Sequence, residues 1–171
     1  MTENSLYYTT FKWQTYDIVL AKTTKGLCFV DATKDNQGFT SLQNWKKKYA
    51  PNFLLTESSL TLAKEQAELQ HYLIGKQKEL LSPLDLYGTS FQQDVWSELR
   101  TIPYGTVTTY SAIAEKLNKP KAVRAVANAI GQNSLLFFVP CHRVIRKDGS
   151  LSSFRAGISL KKQLLQLEGK L

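Results

Sequence analysis

The chain has 171 residues, 43% hydrophobic and 21% charged, enough for one core or two small ones and ordinary for a soluble globular protein. No apolar run approaches the roughly 18 residues of a membrane span, and the first residues lack a signal-peptide pattern, so a cytoplasmic protein is expected. Two cysteines and two histidines exclude a disulfide framework and leave little material for a metal site, so no metal is expected.

The net charge of +8 is unevenly spread. Residues 1–85 carry 10 Lys/Arg against 9 Asp/Glu, whereas residues 86–171 carry 12 against 5. Positive charge concentrated in one half suggests a polyanionic partner there, a generally basic surface being the plain alternative.

In chain order, the first third predicts strands at Leu6 to Phe11, Asp17 to Ala21 and Leu27 to Val30, with a turn at Thr24-Lys25-Gly26. Cys28 falls in an apolar strand with no basic neighbour and is expected in the core. Leu42, Trp45 and Tyr49 at helical spacing predict a helix over Phe39 to Tyr49, on which Lys46-Lys47-Lys48 forms a solvated face. A second helix is expected from Ser59 to Ile74, ended by Gly75, with Leu62, Leu69 and Leu73 buried and His71 structural or on the surface. Lys76 to Gly88 has no periodicity and reads as a linker. These signals give an α/β (α+β) protein: a small β-plus-helix domain over 1–82, then a mostly helical domain over 83–171.

In the second part, Thr89 or Ser90 can cap a helix carrying Phe91, Val95 and Leu99. Thr109 can cap Tyr110 to Leu117, and after the turn Asn118-Lys119-Pro120 a further helix runs from Lys121 to Ile130. Two short helices joined by a tight turn, the second basic at its start, read as a helix-turn-helix. Ala122, Val123, Ala125, Ala127 and Ala129 make that second helix too small-sided to read many bases, although its backbone can approach DNA closely. Arg124 is its one long cation, suited to wedge into a base stack from the minor groove. A core helix with a surface ion pair at Arg124 is the alternative.

Leu135 to Val139 predicts a strand leading into Pro140-Cys141-His142-Arg143-Val144-Ile145, with a hairpin turn at Asp148-Gly149. Ser159 can cap a last helix from Leu160 to Glu168, with Leu160, Leu164 and Leu167 inward and its charged residues mostly outward. A cysteine beside a histidine and among arginines sits where positive charge lowers a thiol pKa, and the thiolate is the nucleophile. A small core residue is the alternative for Cys141.

Pro140-Cys141-His142-Arg143-Val144 resembles the active-site signature of the O6-alkylguanine-DNA alkyltransferases. The resemblance extends from about Phe91 to Gly169 and includes Gly105-Thr106-Val107-Thr108-Thr109-Tyr110, Arg124-Ala125-Val126-Ala127-Asn128-Ala129 and Leu164 to Gly169. It implies DNA repair by irreversible, single-turnover transfer of an alkyl group from O6-alkylguanine or O4-alkylthymine in duplex DNA to Cys141, without a cofactor. It also implies a monomer and a ribonuclease-H-like N-terminal domain. The damaged base lies inside the stack, so the nucleotide must be flipped out. By resemblance Arg124 fills the gap, Tyr110 turns the phosphate and protonates the leaving guanine, and Lys121, Ala122 and Ala125 belong to the DNA-binding surface. His142 takes the thiol proton through water, Glu168 orients His142, and Asn133 buttresses the site. Cys141, Val144, Phe154 and Arg155 surround the base.

One position departs from the pattern. Many members have tyrosine where this chain has Phe154, and the missing hydroxyl removes a hydrogen bond of about 0.5–1.5 kcal/mol net. Two other readings stand beside the transferase: a DNA-binding module in which Cys141 is incidental, and a cysteine hydrolase using Cys141, His142 and Glu168. Catalytic cysteine and histidine in proteases are usually far apart in sequence, which counts against the hydrolase.

Overall fold

The computed structural model describes residues 4–35 and 37–171. They form a mixed α/β protein with two compact units: one comprises the residues up to His71 with Leu80–Tyr87 and Ser134–Leu136, the other Tyr72–Glu79, Gly88–Asn133 and Phe137–Leu171. Among the described residues no helix is long and apolar enough to cross a membrane.

The first unit is built on strands β1 (Ser5–Trp13), β2 (Tyr16–Lys22) and β3 (Leu27–Thr33), each longer than the apolar runs that predict them. β2 lies antiparallel to both neighbours, as the short turns between them require. Helix α1 (Gly38–Tyr49) buries Leu42 and Trp45 in a core that includes Leu6, Val19, Cys28 and Phe29, so Cys28 is a core residue. Strand β4 (Leu54–Glu57) is absent from the sequence expectation. It pairs parallel to β1 and completes the order β3-β2-β1-β4, but Leu54-Leu55-Thr56-Glu57 is mostly exposed at the sheet edge and has no alternating pattern to betray it. Helix α2 spans Ala63–Leu73, shorter at both ends than expected.

The stretch read as a linker is irregular but anchored. Leu27 donates its N–H to Pro83 O at 2.8 Å and Asp85 returns a bond to Leu27 O at 2.7 Å. Gly26, at φ +151°, lies so close that a Cβ there would meet Pro83 O at 2.4 Å. Leu135 makes only an isolated parallel bridge to Val30, and the chain then turns. The strand expected over Leu135 to Val139 does not form, because Phe137 takes a left-handed φ of 71° that breaks any extended run.

The second unit starts with α3 (Ser90–Leu99), whose N-terminus carries a full capping box: Thr89 accepts from Gln92 N and Gln92 reaches back to Thr89 N. Strand β5 (Thr108–Thr109) leads straight into α4 (Tyr110–Lys116), with Thr109 Oγ1 accepting from Ala112 N at 3.2 Å. A 3-10 turn over Pro120–Ala122 then precedes α5 (Val123–Gly131), so Lys121 and Ala122 lie before the helix and Gly131 ends within it. α5 buries Val126, Ala129 and Ile130, and Trp96 Nε1 donates to Ala129 O at 2.8 Å.

Residues Cys141–Arg143 form another 3-10 turn, followed by β6 (Val144–Ile145), which pairs parallel with β5. The Asp148-Gly149 turn forms but closes no hairpin, since the partner of β6 lies earlier in the chain. Helix α6 (Ile158–Leu167) starts beyond its N-cap Gly157, which has a φ of 91°; Ser159 lies inside the helix. Leu160, Lys161, Leu164 and Leu165 are buried on it, whereas Leu167 is half-buried.

Candidate active site

Asn133 follows the end of α5 and holds the turn that presents the cysteine. Its Nδ2 donates to Val139 O at 3.0 Å and to Cys141 Sγ at 3.1 Å. Cys141 N reaches back to Val139 O at 2.8 Å and Arg143 N to Pro140 O at 3.0 Å, which tightens the segment into a single turn. His142 is therefore not on an extended strand with its neighbour on the opposite face; the turn settles its direction instead.

That turn sends the His142 ring toward the end of α6. Nε2 lies 2.9 Å from Glu168 Oε1 and 3.2 Å from the Tyr72 hydroxyl, and the ring is fully buried. Nδ1 is buried with no protein hydrogen-bond partner among the described residues. Glu168 is surrounded by donors: Tyr72 at 2.6 Å, Arg143 Nε and Nη2 at 3.0 and 2.8 Å, and Gly105 N at 3.0 Å. Burial opposes its ionisation, but the hydrogen bonds from His142, Arg143 and Tyr72 bring its pKa down to about 2. Burial pulls the His142 pKa below its ordinary value even though Glu168 pulls it up, so the imidazole is neutral at rest.

The expected resting thiolate is not what the electrostatics give. Cys141 is 5% exposed, and burial pushes its pKa up further than the Asn133 hydrogen bond and the charges of Lys161 and Arg155 bring it down. The resting group is a thiol, next in sequence to a neutral imidazole that can accept a proton.

On the other side of the turn a polar chain runs from Tyr110 inward. The half-buried Tyr110 hydroxyl lies 2.5 Å from Ser152 Oγ, which accepts from Lys161 Nζ at 2.8 Å. Lys161 Nζ also donates to Val144 O at 2.6 Å. Burial lowers the Lys161 pKa to about 8, although the Cys141 charge works the other way. Arg155 donates through Nη1 to Asn133 O at 3.0 Å, and Phe154 is half-buried in the same loop.

Cys141, His142, Glu168 and Asn133 are thus brought together, with Val144 and Arg155 bonded into the same unit. Arg124 and Ala125 form an exposed face of α5 together with Asn128, and Lys121 and Ala122 help to line a hollow with Lys119 and Pro120. Arg124 forms no ion pair among the described residues.

Three buried partners were not anticipated: Lys161, Ser152 and Tyr72. Lys161 lies two helical turns before Glu168 and in register with Leu164 and Leu165, so an inward Glu168 was the available signal for an inward Lys161. Nothing in the local pattern marks Ser152 or Tyr72.

Known proteins resemble the chain throughout. The family model for the 6-O-methylguanine DNA methyltransferase DNA binding domain matches residues 90–170. The chain is 43% identical over 164 residues to the inducible methylated-DNA–protein-cysteine methyltransferase of Bacillus subtilis, a match covering 96% of this chain and 90% of that protein. The crystal structure of Mycobacterium tuberculosis O6-methylguanine methyltransferase matches with a TM-score of 0.81 at 32% identity, over 95% of this chain and 92% of that one. A second Mycobacterium tuberculosis structure, in complex with DNA, matches at 0.78 and 33% identity with the same coverage. The chain belongs to the methylated-DNA–protein-cysteine methyltransferase family.

Proposed function

We propose that this protein repairs duplex DNA by moving an alkyl group from O6 of guanine, or O4 of thymine, to its own Cys141, once per molecule and without a cofactor. The observation that carries this reading is a buried thiol adjacent in sequence to a neutral imidazole whose Nε2 faces an ionised carboxylate. Family membership supports the reaction class, and the DNA-bound relative supports the partner.

In this reading α4 and α5 act as a helix-turn-helix. The exposed Arg124 enters the stack where the damaged nucleotide leaves, and Lys121, Ala122 and Ala125 lie along the backbone. Tyr110 turns the phosphate. The base meets Cys141, Val144, Phe154 and Arg155. Nδ1 of His142 takes the Cys141 proton through a bridging water, and Glu168 stabilises the imidazolium that forms. The thiolate attacks the alkyl carbon as the carbon–oxygen bond breaks, and the electron pair goes to guanine, which takes a proton from Tyr110. Ser152 and Lys161 stand behind that hydroxyl and can restore its proton. The thioether product has no activated carbonyl for water to attack, so the thiol is not regenerated. A reduced thiol suits the cytoplasm, where we assign the protein as a monomer.

The test is incubation with a duplex containing O6-methylguanine, followed by weighing of the peptides. A methyl group on the Cys141 peptide is expected, with Cys141→Ala losing transfer and keeping DNA binding. Binding without transfer would make the protein a damage-binding module, and peptide or ester cleavage would make it a hydrolase; either overturns the proposal.

A further inference from the structure

Tyr72 lies near the end of α2, distant in sequence from the cysteine motif, yet it packs with the second unit and is 1% exposed. Its ring stands edge-on to Tyr104, with centroids 6.1 Å apart at 89°. Tyr104 is itself held, donating its hydroxyl to Leu167 O at 2.9 Å under the Arg143 guanidinium. The phenol oxygen of Tyr72 is thereby fixed between two groups, 2.6 Å from Glu168 Oε1 and 3.2 Å from His142 Nε2.

Counting protons decides what those distances mean. A phenol has one proton to donate, and an ionised carboxylate can only accept. The shorter contact therefore takes the Tyr72 proton to Glu168. His142 Nε2 then faces two acceptors, the carboxylate oxygen at 2.9 Å and the phenol oxygen, so Nε2 carries the ring proton. Nδ1 is left with the lone pair, buried and without a protein partner among the described residues. Were the Tyr72 proton aimed at Nε2 instead, Nδ1 would hold the ring proton and would have no lone pair to accept the proton of Cys141.

We propose that Tyr72 is a positioning residue for the proton transfer: by donating to Glu168 and accepting from His142, it holds the imidazole as the Nε2–H tautomer, with Nδ1 open to the Cys141 proton. The inference rests on the relay described under Proposed function. The S–H bond of Cys141 breaks and an N–H bond forms at Nδ1; Nε2 keeps its proton and Glu168 balances the charge of the imidazolium. The ionisable groups around Tyr72 are Glu168 just after α6, His142 and Arg143 on the 3-10 turn and Tyr104 after α3, with Lys78 over the Tyr104 ring. Burial and then the Glu168 charge raise the Tyr72 pKa well above its ordinary value, so the hydroxyl keeps its proton wherever the protein is folded.

A residue that only fills space would tolerate Tyr72→Phe. In the full chain, with the exposed His71 changed to Gln so that one imidazole remains, Tyr72→Phe should fold with a melting temperature lowered only by the loss of one hydrogen bond to Glu168, and should keep its affinity for duplex. Transfer from an O6-methylguanine duplex at saturating DNA should slow about tenfold, the scale of one hydrogen bond to a charged group. Nitrogen-15 spectra of His142 should pass from a single Nε2–H tautomer to a mixture. Wild-type transfer rates across the pH range together with an unchanged spectrum would overturn the proposal. If the Phe variant does not fold, the spectrum of the otherwise wild-type protein decides: an Nε2–H imidazole supports the proposal, and an Nδ1–H imidazole overturns it. His142→Gln separates this failure from that of the relay. Unimpaired transfer by His142→Gln removes the relay and Tyr72 with it, whereas a slow His142→Gln beside a fast Tyr72→Phe removes the Tyr72 role alone.

Discussion

Arg143 and Glu168 form a buried ion pair in which Nε and Nη2 both reach the carboxylate, while Nη1 donates to Ile102 O at 2.6 Å. One carboxylate thus ties the cysteine turn to the end of α6 and also orients His142. Glu168→Gln leaves the guanidinium buried without its counter-charge, a loss on the order of 3–5 kcal/mol. The expected outcome is a protein with a markedly lower melting temperature and slower transfer, read by calorimetry and by a timed transfer assay.

The same carboxylate makes the protein acid-labile over a defined range. Its folded pKa is depressed from 4.5 to about 2, so its contribution to stability is complete above 4.5 and is lost as pH falls toward 2. Denaturant midpoints measured from pH 5 to about pH 2 should fall in wild type and fall less steeply in Glu168→Gln.

Lys161 is a buried cation with its folded pKa lowered from 10.5 to about 8. A lowered lysine pKa means that the unfolded chain binds more protons between those values, so this group makes stability rise with pH across that window. At neutral pH the charge is held at a cost. Lys161→Met removes that cost but takes one hydrogen bond from Val144 O and one from Ser152 Oγ, which keeps Tyr110 as a partner, a loss of about 1–3 kcal/mol in all. Little net change in melting temperature is expected, with slower transfer, because the Cys141 thiolate loses a stabilising charge.

Arg124→Ala should slow repair of duplex far more than reaction with free O6-alkylguanine. Unstacking a base costs a few kcal/mol, and the free base needs no wedge. Rates on the two substrates check this; an equal loss on both would remove the wedge role.

Much of the architecture is legible in the sequence because it follows from local chemistry. Thr89 and Thr109 are cap residues in fact as in pattern, and Leu42 and Trp45 on α1 bury the face that their spacing predicts. What escaped depends on partners distant in the chain. β4 is a strand because β1 offers it an edge, and Leu135 to Val139 is not one because Phe137 turns left-handed to bring Cys141 round. The cysteine, histidine and carboxylate were readable through a motif. The burial that keeps Cys141 a thiol, the inward Lys161 and the Tyr72 contact are properties of packing, and no run of neighbouring residues encodes them.

The central claim is that Cys141 accepts the alkyl group and keeps it. Titrating the protein with duplex carrying isotopically labelled O6-methylguanine and counting label per chain tests it most directly. The account predicts a plateau of one methyl group per molecule, all of it on Cys141, with guanine restored in the DNA. Label on Cys28, or continued turnover beyond one equivalent, would contradict it.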